Sequence, residues 1–168
     1  MKNLTIYLDM DGVLANFDKA VKAMKHIYEQ PWLDIPNFFF NLEPIGNPNQ
    51  RIEELQQLGY KVYILSKVDI SDHSDRAIDK YEWIERYIPC ISKEDVIIVP
   101  IDQEKTKYLK SDITKSVLLD DYKGNLIDWQ NKGGIAVKFG NKLKTTRSYY
   151  QIINDIGNLK VLLEDIEV

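Results

Sequence analysis

The sequence holds one cysteine, Cys90, and two histidines, His26 and His73. A single thiol excludes an internal disulfide and any multi-cysteine zinc cluster, and the two histidines lack metal-like spacing. Val96 stands where a Cys-x₅-Arg loop starting at Cys90 would need arginine. No Gly-x₄-Gly-Lys-Ser/Thr run is present, so a Walker-type phosphate loop has no support. No apolar run reaches the roughly 18 residues that span a bilayer. The first nine residues carry too short an apolar stretch for a signal peptide. Basic charge is not in excess: 22 Lys and Arg face 26 Asp and Glu, a net charge of −4. That argues against a polymeric nucleic-acid partner, which selects a basic face. Neither a repeat nor a low-complexity tract is found. These absences leave a globular, cytoplasmic protein as the expectation. Its 168 residues, 44% of them hydrophobic, suffice for a buried core.

What is present is an alternation of strands and helices. Leu4 to Leu8 is a β-rich run ending in acids. Leu14, Phe17, Val21, Met24 and Tyr28 recur at helical spacing, which predicts a helix over 14–29, stopped by Pro31. Residues 31–48 hold four of the six prolines and the run Phe38-Phe39-Phe40. Ile52, Leu55 and Leu58 mark a helix closed by Gly59, before a strand from Tyr60 to Leu65. Ser74 or Asp75 caps a helix carrying Ile78, Tyr81, Ile84 and Ile88. Further strands are expected at Val96–Val99, Val117–Leu119 and Ile135–Phe139, with a short helix over 103–110 and another around Leu126 and Trp129. The tail, with Ile152, Ile153, Ile156, Leu159 and Leu163, reads as helical.

Strands apolar on both faces and alternating with helices imply a parallel sheet covered on each side. Ligands in such folds bind beyond the carboxyl ends of the strands. Three strand ends carry chemistry there: Asp9 and Asp11, then Ser66 and Lys67, then Asp120 and Asp121. Clustered carboxylates need a cation, and an oxygen-only set favours Mg²⁺ over zinc. An EF-hand calcium loop fits worse, because Gly12 is at position four and Ala20 at position twelve. Alone, Asp9-Met10-Asp11-Gly12 reads equally well as an acidic turn capping a helix.

Asp9-Met10-Asp11-Gly12-Val13 resembles motif I of the haloacid dehalogenase (HAD) superfamily of phosphatases. Ser66 matches motif II, Lys105 fits motif III, and Leu118-Leu119-Asp120-Asp121 fits motif IV. Lys80-Tyr81-Glu82-Trp83-Ile84-Glu85-Arg86-Tyr87 and Glu104-Lys105-Thr106 are similar to elements of the cytosolic type C 5′(3′)-deoxyribonucleotidases. The likeness runs from Asp9 to about Phe139. It implies a Rossmann-like three-layer α/β/α core over 1–168, a mostly parallel sheet, and a small helical cap inserted after strand one, over 14–50.

The resemblance implies roles. Asp9 is the nucleophile that forms an aspartyl-phosphate, and Asp11 the general acid and base. Mg²⁺ is held by Asp9, the Asp11 carbonyl and Asp120, with Asp121 behind them. Ser66, Lys67, Lys80 and Lys105 hold the phosphoryl oxygens. Lys110, ten positions before Asp120, competes with Lys105, which the Glu-Lys-Thr context favours. Phe17, Trp32 and Phe38 to Phe40, Phe39 among them, roof the base or form the cap's own core. The expected substrate is a small nucleoside monophosphate, with a homodimer left open. The competing readings are a sugar-phosphate or other metabolite phosphatase, and a Mg²⁺/nucleotide-binding regulator without turnover.

Overall fold

The computed structural model describes residues 2–24, 35–69, 75–140 and 151–166. Among these, six strands form one sheet: β1 (Thr5–Leu8), β2 (Lys61–Val68), β3 (Val96–Pro100), β4 (Ser116–Asp120), β5 (Ile135–Phe139) and β6 (Gln151–Ile153). Their order is β3-β2-β1-β4-β5-β6, and every neighbouring pair is parallel. The helices are α1 (Phe17–Met24), α2 (Pro48–Gln57), α3 (Asp75–Tyr87), α4 (Lys123–Asn131) and α5 (Leu159–Ile166).

Side-chain alternation along the strands divides the core in two. Ile6, Leu8, Val62, Ile64, Leu119 and Val137 face one way, against Ile52 and Leu55 of α2, Trp83 and Ile84 of α3, and Leu159 and Leu163 of α5. Tyr7, Leu65, Leu118 and Ala136 face the other way, against Leu126 and Trp129 of α4. The expected three-layer, Rossmann-like α/β/α architecture is therefore present. Because all strands run the same way, their carboxyl ends open on one edge, where Asp9 and Asp120 arrive together. The Asp9 amide donates to the Leu119 carbonyl at 2.9 Å, extending the β1–β4 pairing one residue beyond β1.

Several local expectations differ from the structure. The stretch after Asp11 is a tight turn, not the first turn of a helix over 14–29. The Met10 carbonyl accepts from the amides of Val13, Leu14 and Ala15, and Gly12 donates to Ala15. Leu14 is thereby turned into the core, and α1 begins at Phe17. Tyr28, Pro31 and Ser74 lie outside the described residues. The buried face of α3 is Asp79, Lys80, Trp83 and Ile84, while Ile78 is 50% exposed. Ile84 keeps its place in the core, and Lys80 is drawn in beside it by Asp11, Ser66 and the Lys67 carbonyl at the strand ends. The segment expected as a helix over 103–110 is a 3₁₀ turn at Lys105–Tyr108. The tail contributes β6 before α5, so Ile152 and Ile153 are strand residues paired with Lys138 and Phe139.

Trp129 is fully buried on α4 and donates from Nε1 to the Ser116 carbonyl at 3.1 Å. Trp129→Ala is expected to lower stability by about 3–5 kcal/mol, read from urea unfolding midpoints. A loss below about 1 kcal/mol would show that α4 does not hold this face of the sheet.

Candidate active site at the carboxyl edge of the sheet

Lys105 is the centre of the site. It is buried, and its Nζ lies 2.9 Å from Asp9 Oδ1 and 2.6 Å from Asp120 Oδ2. Burial works against its charge, but the Asp120 and Asp9 carboxylates outweigh burial and hold its pKa above the usual lysine value. Lys110 is exposed, and its contribution is a backbone amide that donates to the Tyr7 hydroxyl at 3.0 Å.

Asp120 closes β4 and is fully buried. Its Oδ1 accepts from the Tyr122 amide at 2.7 Å, and its Oδ2 accepts from Asn125 Nδ2 at 3.0 Å. Asn125, on the first turn of α4, is a site residue that motif matching did not single out. Its only sequence signal is a polar side chain one helical turn beyond Asp121. Lys138 of β5 was missed likewise. Its ammonium donates to the Asp121 carbonyl, fixing the corner after β4.

Asp121 is packed against the motif-I turn. A Cβ at Gly12 would meet Asp121 Oδ2 at 2.0 Å, and Gly12 has φ +75°. Both the close approach and the left-handed backbone demand glycine there. Burial, then the charges of Asp9 and Asp120, push the Asp121 carboxyl up to about 7. Burial also pushes Asp9 up to about 6; Lys105 opposes this, while Asp120 and Asp11 add to it.

One oxygen from each of Asp9, Asp120 and Asp121 lies within 4.8 Å of the others. The Lys105 ammonium pairs with two of these three carboxylates, Asp9 and Asp120, and no described cation forms an ion pair with Asp121. An oxygen-only donor set with this unbalanced charge fits a hard divalent cation.

Lys80 reaches the site from α3 and from the opposite face of the sheet. It is fully buried, and its Nζ donates to Asp11 Oδ2 at 2.5 Å, Ser66 Oγ at 3.0 Å and the Lys67 carbonyl at 2.7 Å. These contacts use all three ammonium protons. The Phe39 ring lies against the ammonium, its centroid 4.6 Å from Nζ. Among the described residues, buried Asp11 Oδ1 has no hydrogen-bond partner.

Ser66 and Lys67 lie inside β2, which runs on to Val68. Ser66 is buried toward Lys80, whereas Lys67 shares the face of Tyr63 and Leu65 with the Lys105 segment. Burial, and then Lys105, pull the Lys67 ammonium below the usual lysine range. Phe39 is buried, stacked on the partly exposed Phe17 at 6.2 Å and edge-on to Phe38 at 5.3 Å. Trp32 lies outside the described residues. The structure therefore brings together Asp9, Asp11, Ser66, Lys67, Lys80, Lys105, Asp120 and Asp121, with Phe39 against Lys80.

The raised carboxyls set the direction of a pH effect. Between the ordinary carboxylate range and about 7, the folded chain without cation keeps protons that the unfolded chain has lost. Its stability should fall as pH rises through that window. A bound divalent cation displaces those protons, so its stabilisation grows with pH. Thermal melts in chelator and in Mg²⁺, at pH 5 and pH 7.5, check this. Equal cation effects at both pH values would remove these carboxyls from the cation site.

Comparison with known proteins follows the geometry. The model of the family described as 5′ nucleotidase, deoxy (pyrimidine), cytosolic type C protein matches residues 22–149. That span includes Ser66, Lys80, Lys105, Asp120 and Asp121, and begins after Asp9 and Asp11. No curated protein sequence matches the chain. The HAD-hydrolase YfnB from Bacillus subtilis, solved bound to magnesium, superposes with a TM-score of 0.70 at 10% identity, covering 97% of this chain and 99% of that one. The D,D-heptose 1,7-bisphosphate phosphatase from B. bronchiseptica, complexed with magnesium and phosphate, gives 0.67 at 13% identity, covering 96% and 99%. The enzyme of the same name from Burkholderia thailandensis gives 0.64 at 11% identity, covering 96% and 98%. At such identities the likeness speaks for the fold.

Proposed function

The chain belongs to the cytosolic type C 5′-nucleotidase (deoxy, pyrimidine) family, with a HAD phosphatase fold, and on that premise we propose a Mg²⁺-dependent phosphomonoesterase acting on deoxyribonucleoside monophosphates. The observation that carries the reading is Lys105 held between Asp9 and Asp120, with Asp121 beside them. We also propose a cytoplasmic location, in keeping with the family's cytosolic type. Among the described residues no helix is long and apolar enough to cross a membrane.

In this reading Asp9, the Asp11 carbonyl and Asp120 would hold Mg²⁺, with Asp121 adjoining. The bound ion supplies charge shielding that lets an anionic carboxylate approach a phosphate dianion. Asp9 needs no base, because it is ionised above its pKa of about 6. An Asp9 oxygen attacks phosphorus, and the bond from phosphorus to the nucleoside oxygen breaks. Asp11 gives a proton to that leaving oxygen. Its Oδ2 is held by the Lys80 ammonium, which orients the carboxyl group. Water then attacks the aspartyl-phosphate, Asp11 takes the water's proton, and Asp9 is regenerated as phosphate leaves. Ser66, Lys67 and Lys105 hold the phosphoryl oxygens, Lys105 balancing charge as it develops. Lys80 joins them by exchanging one of its present acceptors for a phosphate oxygen. Residues 14–50 serve as the cap, with the base against Phe17.

Asp9→Asn should keep the fold, seen as an unchanged circular dichroism spectrum, and lose at least roughly three orders of magnitude in kcat. Retained turnover would refute a nucleophilic Asp9. Against a panel of phosphomonoesters with Mg²⁺, dUMP and dTMP should show higher kcat/KM than sugar phosphates. The reverse order would move the assignment to a metabolite phosphatase. Nucleotide binding without phosphate release would make the chain a regulator.

A further inference from the structure

Lys105 is flanked by Glu104 and Thr106, and the side chains of both go to α4. The Glu104 carboxylate accepts from Lys132 Nζ at 2.7 Å, and the Thr106 hydroxyl accepts from the same ammonium at 2.6 Å. Lys132 caps the carboxyl end of α4 and pairs with Asp128 Oδ1, one turn back, at 3.2 Å. The Thr106 hydroxyl donates in turn to Asp128 Oδ2 at 3.2 Å. Three contacts thus match the three protons of the Lys132 ammonium. None of these four residues has a role in the proposed reaction.

The segment offers little else to aim Lys105. From Ile101 to Lys107 it is the one buried residue. Glu104 stands at the cap of the 3₁₀ turn, yet its side chain makes no capping hydrogen bond there and goes to Lys132 instead. Asp9 and Asp120 hold the ammonium itself. In the proposed reaction both of them change partners: Asp9 becomes an ester, and Asp120 is shared with the cation. The tie to Lys132 is untouched by either event. Helix α4 also steadies Asp120 from its other end, through the Asn125 side chain and the Tyr122 amide. One helix therefore sets both sides of the Lys105–Asp120 contact. Lys132 and Glu104 are 39% and 50% exposed. Ion pairs so exposed add little to stability, which leaves direction as what this one contributes.

We propose that Lys132 is a positioning residue for Lys105: by holding Glu104 and Thr106 on either side of it, Lys132 keeps the buried ammonium aimed into the site through turnover. The proposal rests on the phosphomonoesterase reading. Lys105 balances charge that develops toward the transition state, so its misaiming lowers kcat and kcat/KM together and leaves KM nearly unchanged.

The test measures steady-state kinetics with dUMP and Mg²⁺ on Lys132→Ala, Lys132→Arg, Thr106→Val and the Lys132→Ala/Thr106→Val pair. Limited acetylation with acetic anhydride, read by peptide mass spectrometry, follows Lys105 directly. Lys80, equally buried on the opposite face of the sheet, is the internal control. Lys132→Ala should lower kcat about tenfold, the scale typical of groups that orient a site, with KM within about threefold. Acetylation of Lys105 should rise about tenfold relative to Lys80, as local opening at one segment requires. Lys132→Arg, which keeps the charge and the donors, should restore most of both. The pair should be no worse than Lys132→Ala alone. A merely structural Lys132 predicts a lower melting temperature and faster acetylation of both lysines together, which would overturn the proposal. So would a raised KM with kcat unchanged, the mark of a charge that only attracts the anion, and so would additive losses in the pair. If Lys132→Ala does not fold, Thr106→Val decides: a lower kcat with a raised Lys105 to Lys80 ratio supports the proposal, and an unchanged ratio ends it. Wild-type protein that hydrolyses no phosphomonoester sinks the functional reading separately, while the acetylation ratio still reads whether Lys132 holds Lys105.

Discussion

An ammonium deprived of water persists only beside its counter-charges. Lys105 obtains them from two neighbouring strands. Asp9 follows β1 and Asp120 closes β4, and the two strands pair in register from Thr5 with Ser116 to Leu8 with Leu119. The next residue on each side is therefore a carboxylate. Lys105 arrives from the segment after β3, an edge strand two positions away in the sheet. One three-way contact thus ties the edge of the sheet to its middle. It also depends on register: a slip of one residue along β1 would turn Asp9 to the opposite face and leave Lys105 buried with half its compensation.

Lys80 makes the same kind of tie from the other layer. Helix α3 covers the face of the sheet opposite α4, and its lysine reaches the strand ends through Asp11, Ser66 and the Lys67 carbonyl. The site is therefore gripped from both faces by buried lysines, each neutralised before any ligand arrives. The carboxylates they leave uncompensated, above all Asp121, are the ones the proposed cation would neutralise. Lys67 stands apart: it lies beside Lys105 and forms no ion pair among the described residues. In the proposed reaction, that leaves its ammonium for the substrate's phosphate.

The strand–helix alternation and the acids at strand ends were legible in the sequence because both are carried by local patterns: apolar runs of strand length, then Asp9, Ser66 and Asp120 directly after or within them. Other features depend on partners far along the chain. On α3 the apolar spacing places Ile84 in the core, but the burial of Lys80 beside it depends on Asp11, Ser66 and the Lys67 carbonyl, which lie far along the chain. The helix was expected to start at Leu14, inside the turn, because Leu14 fits helical spacing, and the three amides donating to Met10 leave no periodic trace. β6 is three residues long, too short for alternation to register. Asn125 and Lys138 act on Asp120 and Asp121 through contacts that only the folded sheet creates.

The parallel arrangement has a practical corollary at its other end. Gly59 and Gly133, both at positive φ, make the turns that lead into β2 and β5 at the amino edge of the sheet. Five residues of strand, about 16 Å at 3.3 Å per residue, separate that edge from the carboxylates. Fluorophores, affinity handles or surface linkers attached around those two turns would stand clear of the crevice mouth, so immobilised or labelled protein should present its chemistry to solution in one defined orientation.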